Sequence, residues 1–146
     1  GQIHDAVEQG AIAHLVPADF AMDHPGSQYL APQVLTNVHH GMRVMTEESF
    51  GPVVGIQKVK DDEEALALMN DSEFGLTAAI FSADAEAAMA LAERVEAGTV
   101  FLNRCDYLDP ALAWTGVKNS GRGCTLSSVG YEQLTRPKSF HFKTRL

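Results

Sequence analysis

Sulfur and positive charge are both scarce in this chain. Two cysteines, Cys105 and Cys124, occur among 146 residues, and they form neither a Cys-x-x-Cys pair nor a Cys/His set with zinc spacing. A disulfide framework and a structural zinc site are therefore not expected, and a reducing, cytoplasmic setting fits best. Lysine and arginine number 11 against 19 acidic residues, for a net charge of −8. The basic residues are scattered, which argues against nucleic acid and against a polybasic membrane patch. No run of 18 apolar residues occurs, and Gly1-Gln2-Ile3-His4-Asp5 has no basic and apolar leader pattern. Neither a membrane span nor a secretory leader is expected. Among the six histidines, His4, His14, His24, His39, His40 and His141, no pair shares a helical i, i+4 face with a third ligand nearby, so metal binding is not expected.

What remains is a chain with 45% hydrophobic and 21% charged residues, long enough to bury a core as one globular domain. From Val53 to Asn103 apolar runs alternate with helix-period segments, the pattern of consecutive βαβ units and a mainly parallel sheet with flanking helices. Val53 to Val59 reads as a strand. Asp61 is placed as an N-cap with Glu64 in capping-box spacing, opening a helix that Asn70 and Asp71 end. Leu76 to Phe81 reads as a strand buried on both faces. The next helix starts near Asp84 and carries Ala85, Ala88, Met89 and Ala92 at i, i+3, i+4 and i+7, with Gly98 as its expected C′ residue. Thr99 to Leu102 is the third strand. With right-handed crossovers, the loops after these strands share one rim, where ligands of open α/β sheets gather.

The flanks follow the same rules. Residues 2 to 10 read as a helix, Ala11 to Val16 and Gln33 to Val38 as strands, and Asp19 to Gln28 as an exposed loop. Ser128 to Leu134 reads as a helix stopped by Pro137. Ser139-Phe140-His141-Phe142-Lys143-Thr144 alternates with period two, and a strand at a chain end can find its partner sheet on another chain.

Two stretches draw attention for chemistry. In Glu47-Glu48-Ser49-Phe50-Gly51-Pro52, two carboxylates and an aromatic sit on a turn that feeds a strand. A carboxylate there can accept hydrogen bonds from ribose hydroxyls while a ring backs a planar cofactor. By itself the hexapeptide is more often an ordinary solvated loop with a core aromatic at its turn. The second stretch is the long loop from Asn103 to Thr125, where Tyr107, Leu108 and Trp114 form an apolar-aromatic set. Cys105 lies in it beside Arg104 and Asp106 but has no histidine nearby in sequence, and an ordinary loop cysteine explains it. Ser120-Gly121-Arg122-Gly123 lacks the third glycine of a dinucleotide fingerprint, since Leu126 stands in its place, so it reads as a turn.

In order and spacing, Met45 to Val53, Asn70 to Ala78, Ala97 to Asn103 and Lys118 to Gly123 resemble segments of the carboxyl-terminal part of NAD(P)-dependent aldehyde dehydrogenases. The likeness covers nearly the whole chain. It implies a partial catalytic domain over residues 1–136 and an oligomerisation strand over 137–146. It also implies that Glu48 holds the nicotinamide ribose and Phe50 packs at the nicotinamide end. Asn103, Asp106, Tyr107, Leu108 and Trp114 match the substrate tunnel, and Thr115 stands where many members have glycine. The family's catalytic cysteine, general-base glutamate and Rossmann domain lie upstream of the matching segment; Ile3 after Gly1-Gln2 excludes the nucleophile motif, and neither Cys105 nor Cys124 matches it. The resemblance thus implies a fragment that is inactive alone and works with the missing N-terminal part, with NAD or NADP bound only in the full enzyme. A charged hydrogen bond contributes about 1.5–3 kcal/mol net, whereas millimolar affinity needs about 4.1 kcal/mol, so Glu48 alone does not hold a dinucleotide. A self-standing, non-catalytic binding or assembly module of the same fold is the alternative that the motifs also fit.

Overall fold

The computed structural model describes residues 1–105 and 107–146. It resolves into two compact units, Gly1–Asp61 and Asp62–Leu146. Both are mixed α/β, with parallel strand pairs joined through helices and antiparallel pairs added beside them.

In the first unit, helix α1 (Gln2–Glu8) is followed by strand β1 (Ile12–Ala13), a single 3-10 turn at Pro17–Asp19, strand β2 (Gln33–Thr36), helix α2 (Arg43–Thr46) and strand β3 (Val53–Gly55). The strands form a sheet of order β1-β2-β3, with β1 antiparallel and β3 parallel to β2. Beneath it lies a core of Ala6, Ala11, Leu35, Val38 and Met42, flanked by Ile3, Met45 and Val53. Leu35 and Met42 are fully buried, each contributing about 1.5–3 kcal/mol of hydrophobic stabilisation. They fix α2 over the sheet, and α1 packs against α2.

Two strands are shorter than the apolar runs predicted, for local reasons. After Ala13, one more ladder bond forms from His14 N to Val34 O, and then the Gln33 side chain takes over by donating to Leu15 O at 2.8 Å. Past Gly55, Ile56 N still reaches Leu35 O, but β2 turns away at Asn37, whose φ is 54° and whose Nδ2 donates to Gly10 O at 2.8 Å. A strand without a neighbour cannot continue its ladder.

The second unit contains α3 (Asp62–Asn70), β4 (Phe74–Gly75), β5 (Thr77–Ile80), α4 (Ala85–Ala92), β6 (Thr99–Leu102), β7 (Val117–Lys118) and α5 (Ser127–Gln133). Here β5-α4-β6 is the expected parallel βαβ unit, in register from Thr77 opposite Thr99 to Ile80 opposite Leu102. Asp84, near which the sequence starts this helix, caps α4 by accepting from Ala87 N at 2.9 Å. Of the apolar stripe on α4, Ala88 is buried while Met89 is exposed.

Gly98 does not close α4. That helix is capped at Glu93, and Gly98 instead donates its backbone N–H to Gly75 O at 3.1 Å, where an added Cβ would run into the carbonyl of Thr115. The antiparallel pair β4-β7 has no periodicity signature, being two residues on each side. Residues 134–146 form no strand, so the alternating segment 139–144 has no ladder partner among the described residues. Its Phe140 and Phe142 rings stack 5.8 Å apart and both are exposed.

Candidate functional site

The loop from Glu47 to Pro52 is short, polar and tied down at both ends. Helix α2 is a single turn that stops at Glu47, where ψ swings to 144°. Glu47 then folds back so that its carboxylate accepts from Arg43 Nε at 2.8 Å. The hydrogen bond from Arg43 holds the Glu47 carboxyl below its ordinary pKa, and the carboxylate in return raises the guanidinium. From α1, Gln2 Nε2 donates to the other Glu47 oxygen at 3.5 Å, while Gln2 Oε1 accepts from the Ser49 hydroxyl. At the far end, Gln33 N donates to Pro52 O at 2.8 Å, the bond that starts the β2-β3 ladder.

Between these anchors stand the two side chains singled out by the sequence. Glu48 is exposed, and the described residues offer it neither a hydrogen bond nor an ion pair. Phe50 is 96% exposed. Of the paired glutamates, one is consumed by the scaffold and the other is left with both oxygens available, each able to accept from a hydroxyl. Covering a phenylalanine ring is worth about 1.5–3 kcal/mol, so this ring is a surface with a large unclaimed gain. It borders a cleft of about 530 Å³ whose walls include Gln2, Leu30, Gln33 and Ser49.

The second region belongs to the other unit. Asn103 follows β6 in the left-handed conformation, φ 55°. Its side chain accepts from Ser82 N at 2.9 Å and donates to Ser82 O at 2.8 Å, while its own N–H reaches Ile80 O. The loops after β5 and β6 therefore lie on one rim, as expected, and Asn103 joins them with one donated and one accepted amide bond, leaving its second N–H and second oxygen lone pair unused by these contacts. Beyond it, Tyr107 and Leu108 are each 58% exposed, and the Arg104 guanidinium lies 4.3 Å from the centre of the Tyr107 ring, a cation–π contact. Asp106 lies outside the described residues. Trp114 is half-buried and pairs with Thr125 through two backbone bonds of 2.8 and 2.9 Å, which closes the long loop on itself. Thr115 donates its hydroxyl to Gly123 O at 2.7 Å.

A cluster that sequence reasoning missed lies where the chain enters β5 and β6, at the ends away from this rim. Asn70, at the end of α3, donates to Arg94 O at 2.9 Å and accepts from Glu96 N at 2.8 Å. Lys118 Nζ donates to Asn70 O at 2.6 Å and to Ser72 O at 3.0 Å and pairs with Glu96. Ser120 Oγ accepts from Gly75 N at 2.9 Å. Three of the four segments behind the family resemblance thus meet in one structural knot. The only signal available was that Asn70, Gly75, Gly98 and Lys118 all fall within those segments, with nothing in their spacing to say that they meet.

Cys105 is exposed and Cys124 half-buried, both as free thiols. Among the described residues no group of three His, Cys, Asp or Glu side chains could hold a metal ion, and no helix is long and apolar enough to cross a membrane.

A sequence profile of the aldehyde dehydrogenase family matches residues 1–140. The chain is 41% identical over 137 residues to the NADP(+) succinate-semialdehyde dehydrogenase of Deinococcus radiodurans, covering 94% of this chain and 28% of that protein. It is 43% identical over 133 residues to the Escherichia coli NAD(P)+ succinate semialdehyde dehydrogenase Sad, with 91% and 28% covered. The structure superposes on the succinic semialdehyde dehydrogenase of Streptococcus pyogenes, solved in complex with NADP+, with a TM-score of 0.76 at 35% identity, covering 89% of this chain and 28% of that one. The chain thus spans a little over a quarter of the length of the curated relatives it matches.

Proposed function

The chain belongs to the aldehyde dehydrogenase family, and from that premise we propose that it forms the carboxyl-terminal part of the catalytic domain of an enzyme that oxidises an aldehyde to a carboxylic acid with NAD or NADP. The observation that carries this reading is the pairing of an unpartnered Glu48 carboxylate with a bare Phe50 ring on a loop anchored at both ends. These groups fit the nicotinamide ribose: a vicinal diol presents two O–H donors, and a carboxylate offers two acceptor oxygens. When bound, the cofactor supplies the hydride acceptor for aldehyde oxidation. Glu48 orients the ribose by accepting from its hydroxyls, and Phe50 backs the adjoining ring and excludes water from it.

The same reading gives Asn103, Tyr107, Leu108 and Trp114 to the wall of the substrate passage. There Asn103 acts by holding the Ser82 loop, and the aromatic and aliphatic side chains supply apolar surface. The nucleophilic sulfur, the general base and the pyrophosphate cradle are assigned to residues outside these 146, with the N-terminal part of the enzyme as the required partner. A cytoplasmic setting accords with two unpaired thiols. Self-association is assigned to residues Ser139 to Thr144, whose exposed Phe140 and Phe142 have no strand partner among the described residues. A strictly monomeric species in concentrated sedimentation runs on an enzyme carrying this segment would refute that assignment.

The decisive experiment grafts residues 1–146 in place of the matching segment of a curated relative. The chimera is expected to form NADH or NADPH in the presence of aldehyde. Glu48→Gln in that chimera should weaken cofactor binding roughly tenfold to a hundredfold, the range of a lost charged hydrogen bond. Unchanged cofactor affinity would overturn the role given to Glu48. The 146-residue chain alone should produce no reduced cofactor from aldehydes.

A further inference from the structure

We propose that Gln2 is the positioning residue of Glu48, an inference that rests on the ribose-binding reading above. Glu48 has no contacts of its own to hold it, yet a carboxylate that must meet two hydroxyls at once has to be presented in one orientation. Its neighbours on both sides are held by one amide. Gln2 Nε2 donates to Glu47, and Gln2 Oε1 accepts from Ser49. The two ends of an amide are chemically distinct, and a carboxylate only accepts, so the Glu47 contact fixes which end faces which partner. Flipping the amide would set oxygen against carboxylate and nitrogen against a hydroxyl that now has to accept.

The base of this clamp is rigid. Gln2 is the first residue of α1, whose Ala6 is fully buried and whose Ile3 packs on the core of the first unit, and α1 packs against α2. Arg43 holds the other Glu47 oxygen, so the Glu47 carboxylate is fastened by side chains of two helices. Glu48 is therefore a free functional group on a restrained backbone, which is how a binding residue is kept preorganised without spending its own hydrogen bonds. Nothing about Gln2 in the sequence marks it, because it lies 46 residues from Glu48.

The inference is tested first on the 146-residue chain, by backbone nitrogen-15 relaxation. In the wild type, Glu48 and Ser49 should show order parameters near those of the β3 residues Val53–Gly55, about 0.85. Gln2→Ala should drop Glu48 and Ser49 to about 0.6 or below with β3 unchanged. Gln2→Glu, which keeps an acceptor for Ser49 but sets like charges against Glu47, should loosen Glu47 and Glu48 as well, and it covers the case in which the alanine variant folds poorly. Loop order that stays at the wild-type value in both variants overturns the proposal. In the chimera, direct binding of NAD+ or NADP+ should weaken about threefold to tenfold on Gln2→Ala, while the same substitution in a Glu48→Gln background should add nothing. Additive effects of the two substitutions overturn the proposal with the Glu48 reading intact. Glu48→Gln without effect by itself overturns that reading instead.

Discussion

Replacing Gly98 with alanine is the sharpest probe of how the second unit is built. A Cβ at this position would meet the carbonyl carbon and oxygen of Thr115 and then the Gly116 Cα at 3.1 Å. These are backbone atoms, so no side chain can rotate away. The methyl group must either push the segment before β7 outward or break the Gly98 N to Gly75 O bond of 3.1 Å, and both disturb the β4-β7 pair beside it. Overpacking of this kind costs about 1–3 kcal/mol, and more where only backbone can yield. With a urea m-value of about 2 kcal/mol per molar, a loss of about 2 kcal/mol moves the midpoint down by about 1 M. Gly51→Ala is the matched control. Gly51 lies in the Phe-Gly-Pro turn that sequence inspection marks as special, yet its nearest contact for a Cβ is Leu30 Cδ2 at 3.9 Å, an ordinary distance. Its stability should stay within about 0.5 kcal/mol of wild type, a midpoint shift of at most about 0.25 M. Equal midpoints for Gly98→Ala and wild type, or an equal fall for the two variants, would refute the packing argument.

Three further outcomes follow from the same geometry. Leu35→Ala removes a fully buried side chain from the core of the first unit and should cost about 2–5 kcal/mol, read from urea midpoints. Lys118→Met removes two hydrogen bonds from a charged donor to the carbonyls of Asn70 and Ser72. It should destabilise the second unit by about 1.5–3 kcal/mol, with lost hydrogen-exchange protection at Asn119, which donates to Glu73 O. The Glu63–Arg94 pair makes two bonds of 2.6 Å, and the bond from Arg94 holds the Glu63 carboxyl below its ordinary value. A carboxylate with a depressed folded-state pKa stabilises fully above its unfolded value, about 4.3, and that contribution is lost as pH falls through the lower folded value. Glu63→Gln should therefore flatten the decline in stability below about pH 4.3 and change its slope little near neutrality. Because both side chains are exposed, the effect is small, and a steep change near pH 7 would contradict the assignment.

Local physics made much of the chain legible. The capped start of α4 at Asp84, the β5-α4-β6 unit and the helix that opens the chain all follow from spacing and side-chain type within a few residues. The Glu47–Pro52 loop could be marked as a candidate site because its residue types fit a ligand whatever their surroundings. The family resemblance singles out Glu48, but the hexapeptide's own residues do not say why Glu47 is the one held, since that depends on Arg43 and Gln2 reaching Glu47 from two different helices. The same holds for Gly98, which reads as a helix terminator and acts as a point of backbone contact with Thr115. Asn103 reads as a polar group on a functional rim, and the structure adds that its amide also ties that rim together through Ser82.

The chain by itself determined the class of fold, its principal elements and the family, because those are written in periodicity, caps and contiguous motifs. Tertiary structure alone decided which polar groups are already satisfied and which remain to bind something. Hydrogen-bond satisfaction is a property of partners brought together across dozens of residues, and no local pattern encodes it.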